Sequence, residues 1–316
     1  MTEHDFDIRR IGGRIGAEIL GVDIARPLDP GVVAEINAAL IEHKALFFRG
    51  QRLDDVAQYR FASLFGELTA KLTANRPVAP ATAGAGSPAA DQPPAHGDGG
   101  PVNHWYTEAS HLPAPPRVTT LRSLVVPPYG GDTLIANTAT AYQESPAPLR
   151  ALADRLWAVH AERPELALGH PPGPEHRPGP GRPADHRPGA GRPPARTVAH
   201  PVVRVHPESG ERALFIGAFA QRLVGFDADD STDLLRVLQG RVTRPENVVR
   251  WRWAPGDLAI FDNRSTQHYA PDDHGTLPRL LHRVTVAGDV PVGTDGERSR
   301  VVEGDRAEHH TPASAA

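Results

Sequence analysis

The stretch "NHWYTEASHLPAPP", residues 103–116, sets a polar alternation beside a Trp and leaves through a Pro-rich exit. On a strand, His104, Tyr106 and Glu108 would project from one face, because side chains alternate with period two. Glu108 offers a carboxylate that could hold a cation. Tyr106 offers a phenol, which must lose a proton of pKa about 10 before it can ligate a metal. A later stretch, "PGDLAIFDNRSTQHYAPDDHGTLPRLLHRVTVAGD", reads as strand, polar turn, His268, loop, then a strand bearing Arg279 and Arg283. Arginines four apart on a strand share a face and can reach into one cavity. Their planar forks suit carboxylates, and an inward-facing pair is costly to bury unless an anion or acid awaits it. An outward, solvated pair has the same spacing, and a His on a strand is often structural.

Those residues need a scaffold. "RIGGRIGAEILGVDI" predicts one or two short strands around Gly turns, and "DPGVVAEINAALIEHK" a helix with Asp29 as N-cap and Pro30 first. "ALFFRG" predicts a buried strand, and "DDVAQYRFASLFGEL" a second helix capped near Asp54 or Asp55 and stopped by Gly66. Strands follow in "RVTTLRSLVVP" and "TLIANT", then a helix from Ser145 and Pro146 to about His160. Beyond come "HPVVRVHP", "RALFIG", the helix "STDLLRVLQGRV" and the strands "VVRWRWA", "LAIFDN" and "LLHRVTVAG". Many short strands with a few outer helices argue for a β-sandwich or jelly roll. Residues 72–101 lack periodicity and read as a long lid loop, and the Pro/Arg/His tract 163–197 as a disordered insert. The tail 291–316 is polar and is expected to be loose.

Composition narrows the classes. The 316 residues can bury a sizeable core. A net charge of −4 gives no electrostatic case for a nucleic-acid or anionic-membrane partner. With no cysteine, disulfides, thiolate metal sites and Cys nucleophiles are excluded. No leader or membrane-length apolar run is visible, so a soluble cytoplasmic protein is the expectation. Lys44 and Lys71 are the only lysines, which with the abundant Arg, Pro, Gly and Ala suggests a high-GC gene. The tract 163–197 could then be a compensated frameshift, which resequencing would settle.

Seven segments, "IGAEILGVDIARPL", "ALFFRGQ", "FGEL", "VVPPYGGDTLIANTATAY", "HPVVRVHPESGERALF", "VRWRWAPGDLAIFDNRSTQHYA" and "RLLHRVTVAGD", occur in the order of a known family. In them the chain resembles the taurine dioxygenase / 2,4-D dioxygenase (TauD/TfdA-like) family of Fe(II)/2-oxoglutarate-dependent oxygenases. The resemblance spans residues 8–290. It implies a mainly β fold with flanking helices, a double-stranded β-helix (jelly roll, cupin-like). It also implies Fe(II), 2-oxoglutarate as cosubstrate, O₂, and a small, anionic organic substrate that is hydroxylated or desaturated. Homo-oligomerisation is left open. By matched position, His268 is the distal iron ligand, Thr133 and Arg279 hold the oxoglutarate, and Arg283 meets the substrate's anionic group.

The chain departs from the family at one motif. "HWHTD" reads "HWYTE" here, so Glu108 stands for the Asp ligand and Tyr106 for the first His. Glu keeps the charge with one more methylene. A phenol does not replace the imidazole of a two-His, one-carboxylate triad, and metal affinity is expected to be weaker. His104 could substitute only by a two-residue strand slip, and His111 only through a bend after the strand. The family's His-rich element after "FGEL" reads "TAKLTANRP" here, with no histidine between 65 and 80. A competing expectation is a catalytically silent jelly roll that binds a small anion through Arg279 and Arg283.

Overall fold

The computed structural model describes residues 6–69, 103–161 and 197–303. The expected lid loop 72–101, and all but Thr197 of the tract 163–197, lie outside the described residues. Strands β1 (Asp7–Arg10) and β2 (Ala17–Leu20) form an antiparallel pair and lead into α1 (Pro30–His43). Asp29 caps α1 by accepting from the Gly31 N–H at 2.9 Å, and Pro30 opens it. The wholly buried β3 (Ala45–Phe48) follows, then α2 (Asp55–Ser63), whose first turn is closed by Asp54 accepting from the Ala57 N–H at 2.7 Å. Both helices therefore start where side-chain chemistry predicts.

After residue 103 come β4 (Val118–Val125), β5 (Thr133–Asn137), α3 (Thr138–Gln143) and α4 (Ala147–Ala153). The helix expected to run to His160 ends at Ala153, and Trp157–Ala161 is instead strand β6. Its Trp-Ala-Val-His run is held between β7 (Thr197–Pro201) and β10 (Ala220–Leu223), both remote in sequence. That pairing overrides a local run that continues a helix pattern. Between those two lie β8 (Val203–Val205) and β9 (Arg212–Leu214).

Helix α5 (Ala228–Val242) begins earlier than expected because Asp227 caps it, accepting from the Asp230 N–H at 2.8 Å. Asp227→Ala should lower stability by about 1 kcal/mol in urea unfolding. An unchanged midpoint would mean the cap contributes nothing.

The last strands are β11 (Val248–Trp251), β12 (Leu258–Asp262), β13 (Thr266–Tyr269), β14 (Leu280–Val286) and β15 (Arg300–Glu303). The tail expected to be loose from 291 is tied down as far as Glu303. β15 pairs with β7, and Val292 bridges Arg298. The backbone of β7 offers a sheet edge, and pairing it outweighs the polarity of the side chains.

Sheet order explains where the site sits. A six-stranded sheet runs β1-β2-β3-β12-β4-β14 and faces a three-stranded sheet, β11-β5-β13. Between them Phe47, Leu121 and Phe261 from the large sheet pack with Ile135, Val249 and Trp251 from the small one. Phe47 and Trp251 stack at 4.1 Å between ring centroids. Helices α1 and α2 cover the other face of the large sheet through Ile36, Leu40 and Phe61. A further sheet, β10-β6-β7-β15, completes the wall behind residues 105–112. Two facing sheets with outer helices make the jelly roll the sequence implied. Among the described residues, no helix is long and apolar enough to cross a membrane.

Candidate active site

Three of the residues singled out in the sequence meet at the end of the small sheet. Tyr106 and His268 are direct cross-strand partners. The Tyr106 N–H donates to the His268 carbonyl at 3.0 Å and the His268 N–H to that of Tyr106 at 2.9 Å. Their rings lie 4.0 Å apart. After Tyr106 the chain leaves the strand in a turn, which swings Glu108 to within 3.7 Å of His268 (Oε2 to Nε2).

This pair has unused bonding capacity. Among the described residues, neither ring nitrogen of His268 has a hydrogen-bond partner, nor does Oε2 of Glu108, and all three atoms are buried. Buried polar atoms are normally satisfied, so two facing lone-pair donors left over are a place for a cation. Burial first, and then the nearby Arg283 guanidinium, push the His268 pKa well below its ordinary value. The imidazole is therefore neutral, the form that binds metal.

The arginines come from the start of β14. Arg279 precedes that strand, and β4 carries an irregularity opposite Leu280 and Leu281, yet both guanidinium groups still turn toward Tyr106. Strand period alone does not bring them together, because Arg279 lies outside β14; their guanidinium groups nevertheless turn inward to the same place. Arg283 donates from Nη1 to Glu108 Oε1 at 3.1 Å, and its pKa is raised chiefly by that carboxylate. Arg279 is held by neutral groups, donating to the Gly131 carbonyl at 2.7 Å and to Thr133 Oγ1 at 3.3 Å. Burial lowers its pKa. A cation held by a carbonyl and a hydroxyl is suited to receive an anion.

Thr133 supports that use. Its Oγ1 accepts from Trp253 Nε1 at 2.9 Å as well as from Arg279. With both lone pairs taken, its O–H is left to donate toward a ligand oxygen. Gly131 makes room beside it. A Cβ there would stand 2.8 Å from Arg279 Cδ, and its φ of +66° suits glycine. The "GGDT" turn thus shapes the Arg279 cradle.

The altered motif can now be placed. Tyr106 is buried, and burial raises its phenol pKa even though Arg283 pulls the other way. Among the described residues, no group of three His, Asp or Glu side chains converges as a metal site. Neither His104 nor His111 therefore joins Glu108 and His268. His111 packs toward Phe219 instead, with ring centroids 5.0 Å apart.

Comparison with known proteins decides the class. The sequence model of the taurine catabolism dioxygenase TauD, TfdA family matches residues 7–285. The chain belongs to that family. It is 49% identical, over 94% of each chain, to the alpha-ketoglutarate-dependent sulfate ester dioxygenase of Pseudomonas putida. It is 42% identical to an alkylsulfatase of Acinetobacter baylyi, over 93% of this chain and 88% of the other. Its structure superposes on a crystal structure of a taurine dioxygenase from Burkholderia xenovorans with a TM-score of 0.75. That protein is 34% identical, with 96% of each chain covered.

As a TauD, TfdA member the chain is a dioxygenase that uses Fe(II) and 2-oxoglutarate with O₂ on a small-molecule substrate. The silent anion-binder gains no support from these relatives, which are named for catalysis. The residues present fit iron in two positions, Glu108 and His268, whose buried donor atoms face one another unsatisfied. Where the resemblance implies a third, imidazole ligand, this chain presents the phenol of Tyr106.

Proposed function

We propose that the chain is a dioxygenase of sulfate esters, oxidising an alkyl sulfate at the carbon that bears the sulfate group. Two relatives point to this substrate class, a sulfate ester dioxygenase and an alkylsulfatase, each matching along nearly the whole chain. The observation that carries the reading is the division of labour around the Glu108–His268 pair. Arg279 with Thr133 forms one anion cradle and Arg283 a second cationic position, both turned toward Tyr106.

In this reading Glu108 and His268 hold ferrous iron, with Tyr106 at the third position. Arg279 and the Thr133 hydroxyl bind the far carboxylate of 2-oxoglutarate. Arg283 faces the sulfate, where its fork can bond two oxygens. Bound iron with 2-oxoglutarate supplies the oxidising chemistry, consuming O₂, releasing succinate and CO₂, and placing one oxygen atom on a substrate C–H bond. Hydroxylation of the carbon next to the ester oxygen leaves a hemiacetal sulfate. That species loses sulfate and gives an aldehyde.

The test is stoichiometric. With ferrous iron, 2-oxoglutarate and a medium-chain alkyl sulfate in air, succinate, aldehyde and sulfate should appear in equal amounts. Succinate without sulfate across a panel of alkyl sulfates would move the substrate to another class. Arg283→Met should weaken alkyl sulfate binding about tenfold or more, the loss of a charge-assisted bond, and spare 2-oxoglutarate. Equal losses for both ligands would contradict separate roles for the arginines.

A further inference from the structure

We infer that His160, acting through Ser110, is a positioning residue that aims the Glu108 carboxylate into the metal site. This rests on the proposed assignment of Glu108 as a metal ligand.

Glu108 does not ride on a regular strand. It sits in the turn 107–112, and the next residue, Ala109, has a φ of +46°, the left-handed region that L side chains avoid. A non-glycine residue stays there only where its surroundings hold it. Two tethers bracket Glu108. On one side Thr107 Oγ1 donates to the Thr266 carbonyl at 2.8 Å, tying the turn to the strand of His268. On the other, Ser110 Oγ lies 3.0 Å from His160 Nδ1. The two tethers fix the backbone on either side of Glu108, and Arg283 Nη1 holds its Oε1 at 3.1 Å, which leaves Oε2 toward His268.

The second tether is anchored in rigid structure. His160 lies in β6, an inner strand bonded on both edges, with Val198 of β7 and Ala220 of β10 as its partners. It is wholly buried, stacks on Phe215 at 5.4 Å and meets His200 edge-on at 4.8 Å. His200 is wholly buried too. Its ring lies beside the backbone carbonyls of Ser110 and Leu112, and its Nδ1 is 2.6 Å from Ser299 Oγ. Burial pushes the pKa of His160 down to about 3, so the imidazole stays neutral at working pH and its bond to Ser110 does not switch. Each imidazole uses its Nδ1, His160 on Ser110 of the turn and His200 on Ser299, while both Nε2 atoms are buried with no hydrogen-bond partner among the described residues. A buried imidazole with half its polar capacity unused is costly to keep, and the bond that His160 does make is to the turn that carries Glu108.

The experiment measures metal binding rather than turnover. Mn(II) alone is titrated into the intact protein, and Co(II) absorption reports the ligand field. His160→Leu and Ser110→Ala should each weaken Mn(II) about tenfold, the size of effect seen when a ligand loses its outer support. Both should shift the Co(II) bands. The double variant should lose no more than either single one, since they break the same bond. His160→Asn, whose amide can occupy the place of Nδ1, should recover most of the affinity. If His160→Leu fails to fold, Ser110→Ala carries the test, since it removes one oxygen atom.

A lowered melting temperature with unchanged Mn(II) affinity and Co(II) spectrum would overturn the proposal, leaving His160 a packing residue. Glu108→Ala separates this from the underlying assignment. If that variant binds Mn(II) as tightly as the native protein, Glu108 is not a ligand and both readings fall. If it loses the metal while His160→Leu and Ser110→Ala keep it, only the positioning role fails. Absence of Mn(II) binding by the native protein would also overturn both.

Discussion

Arg279→Ala should cost the Mn(II)-loaded protein about 2–4 kcal/mol of 2-oxoglutarate affinity, or roughly 30- to 700-fold in Kd. The expectation follows from how Arg279 is held. Its partners are the Gly131 carbonyl and Thr133 Oγ1, and among the described residues no carboxylate is bonded to its positive charge. Burial already strains that charge, as the lowered pKa records. A dicarboxylate arriving at the cradle would relieve it, gaining a charge-assisted fork and a further bond from the Thr133 hydroxyl. The side chain is only part-buried, which places the expected loss toward the lower end of the range. Arg279→Lys should fall between, because an ammonium keeps the charge and loses the two-pronged geometry. Calorimetric titration of the metal-loaded variants reads the effect. Unchanged affinity in Arg279→Ala would mean the cosubstrate carboxylate is bound elsewhere.

How much of this could be read before the structure depends on the range over which each feature is specified. The N-caps are local chemistry, a carboxylate two or three residues from the N–H that donates to it; Asp29 is legible in the sequence, and the second cap is narrowed there to Asp54 or Asp55, of which the structure uses Asp54. The spacing of Arg279 and Arg283 suggests one face of a strand, yet Arg279 lies before β14 and an irregularity intervenes at Leu280, so their convergence near Tyr106 is a property of the fold and not of the period. Glu108 and His268 could be paired only through the resembling motif, because nothing local says that the strand of Tyr106 lies against that of His268. Strand β6 looks like the end of a helix in the sequence for the same reason. Its partners β7 and β10 are set by long-range pairing, and a five-residue run of Trp, Ala, Val and His carries little preference of its own. With β6 read as helix, His160 could not be placed behind Ser110. Residues 291–303 look polar and loose in isolation. They are ordered by the free edge of β7, which no property of their own side chains announces.

Tyr106→His should bind ferrous iron or Mn(II) more tightly than the native protein, by at least about 10–100-fold. Changes merely in the support of a ligand alter metal affinity by that much, and this change would add a ligand. The position is already aimed. Tyr106 and His268 form the closed hydrogen-bonded pair of an antiparallel bridge, which brings their side chains to the same end of the sheet. The rings are 4.0 Å apart, and Glu108 reaches within 3.7 Å of His268 from the turn beyond. An imidazole is shorter than a phenol and fits the space the Tyr ring now fills. It also brings a neutral lone pair at working pH, whereas the phenol must first lose a proton that burial makes harder to remove. Arg283 opposes that burial effect but is itself bonded to Glu108, so its help to a phenolate is shared. Anaerobic competition against a chelator measures the affinity of both forms. Tighter binding in Tyr106→His, with faster 2-oxoglutarate-dependent O₂ uptake, would make the native site a two-ligand version of the usual triad, weakened at one corner. Weaker binding would mean that Tyr106 already ligates as phenolate. The native ferric protein should then show a visible phenolate charge-transfer band that Tyr106→His and Tyr106→Phe both abolish.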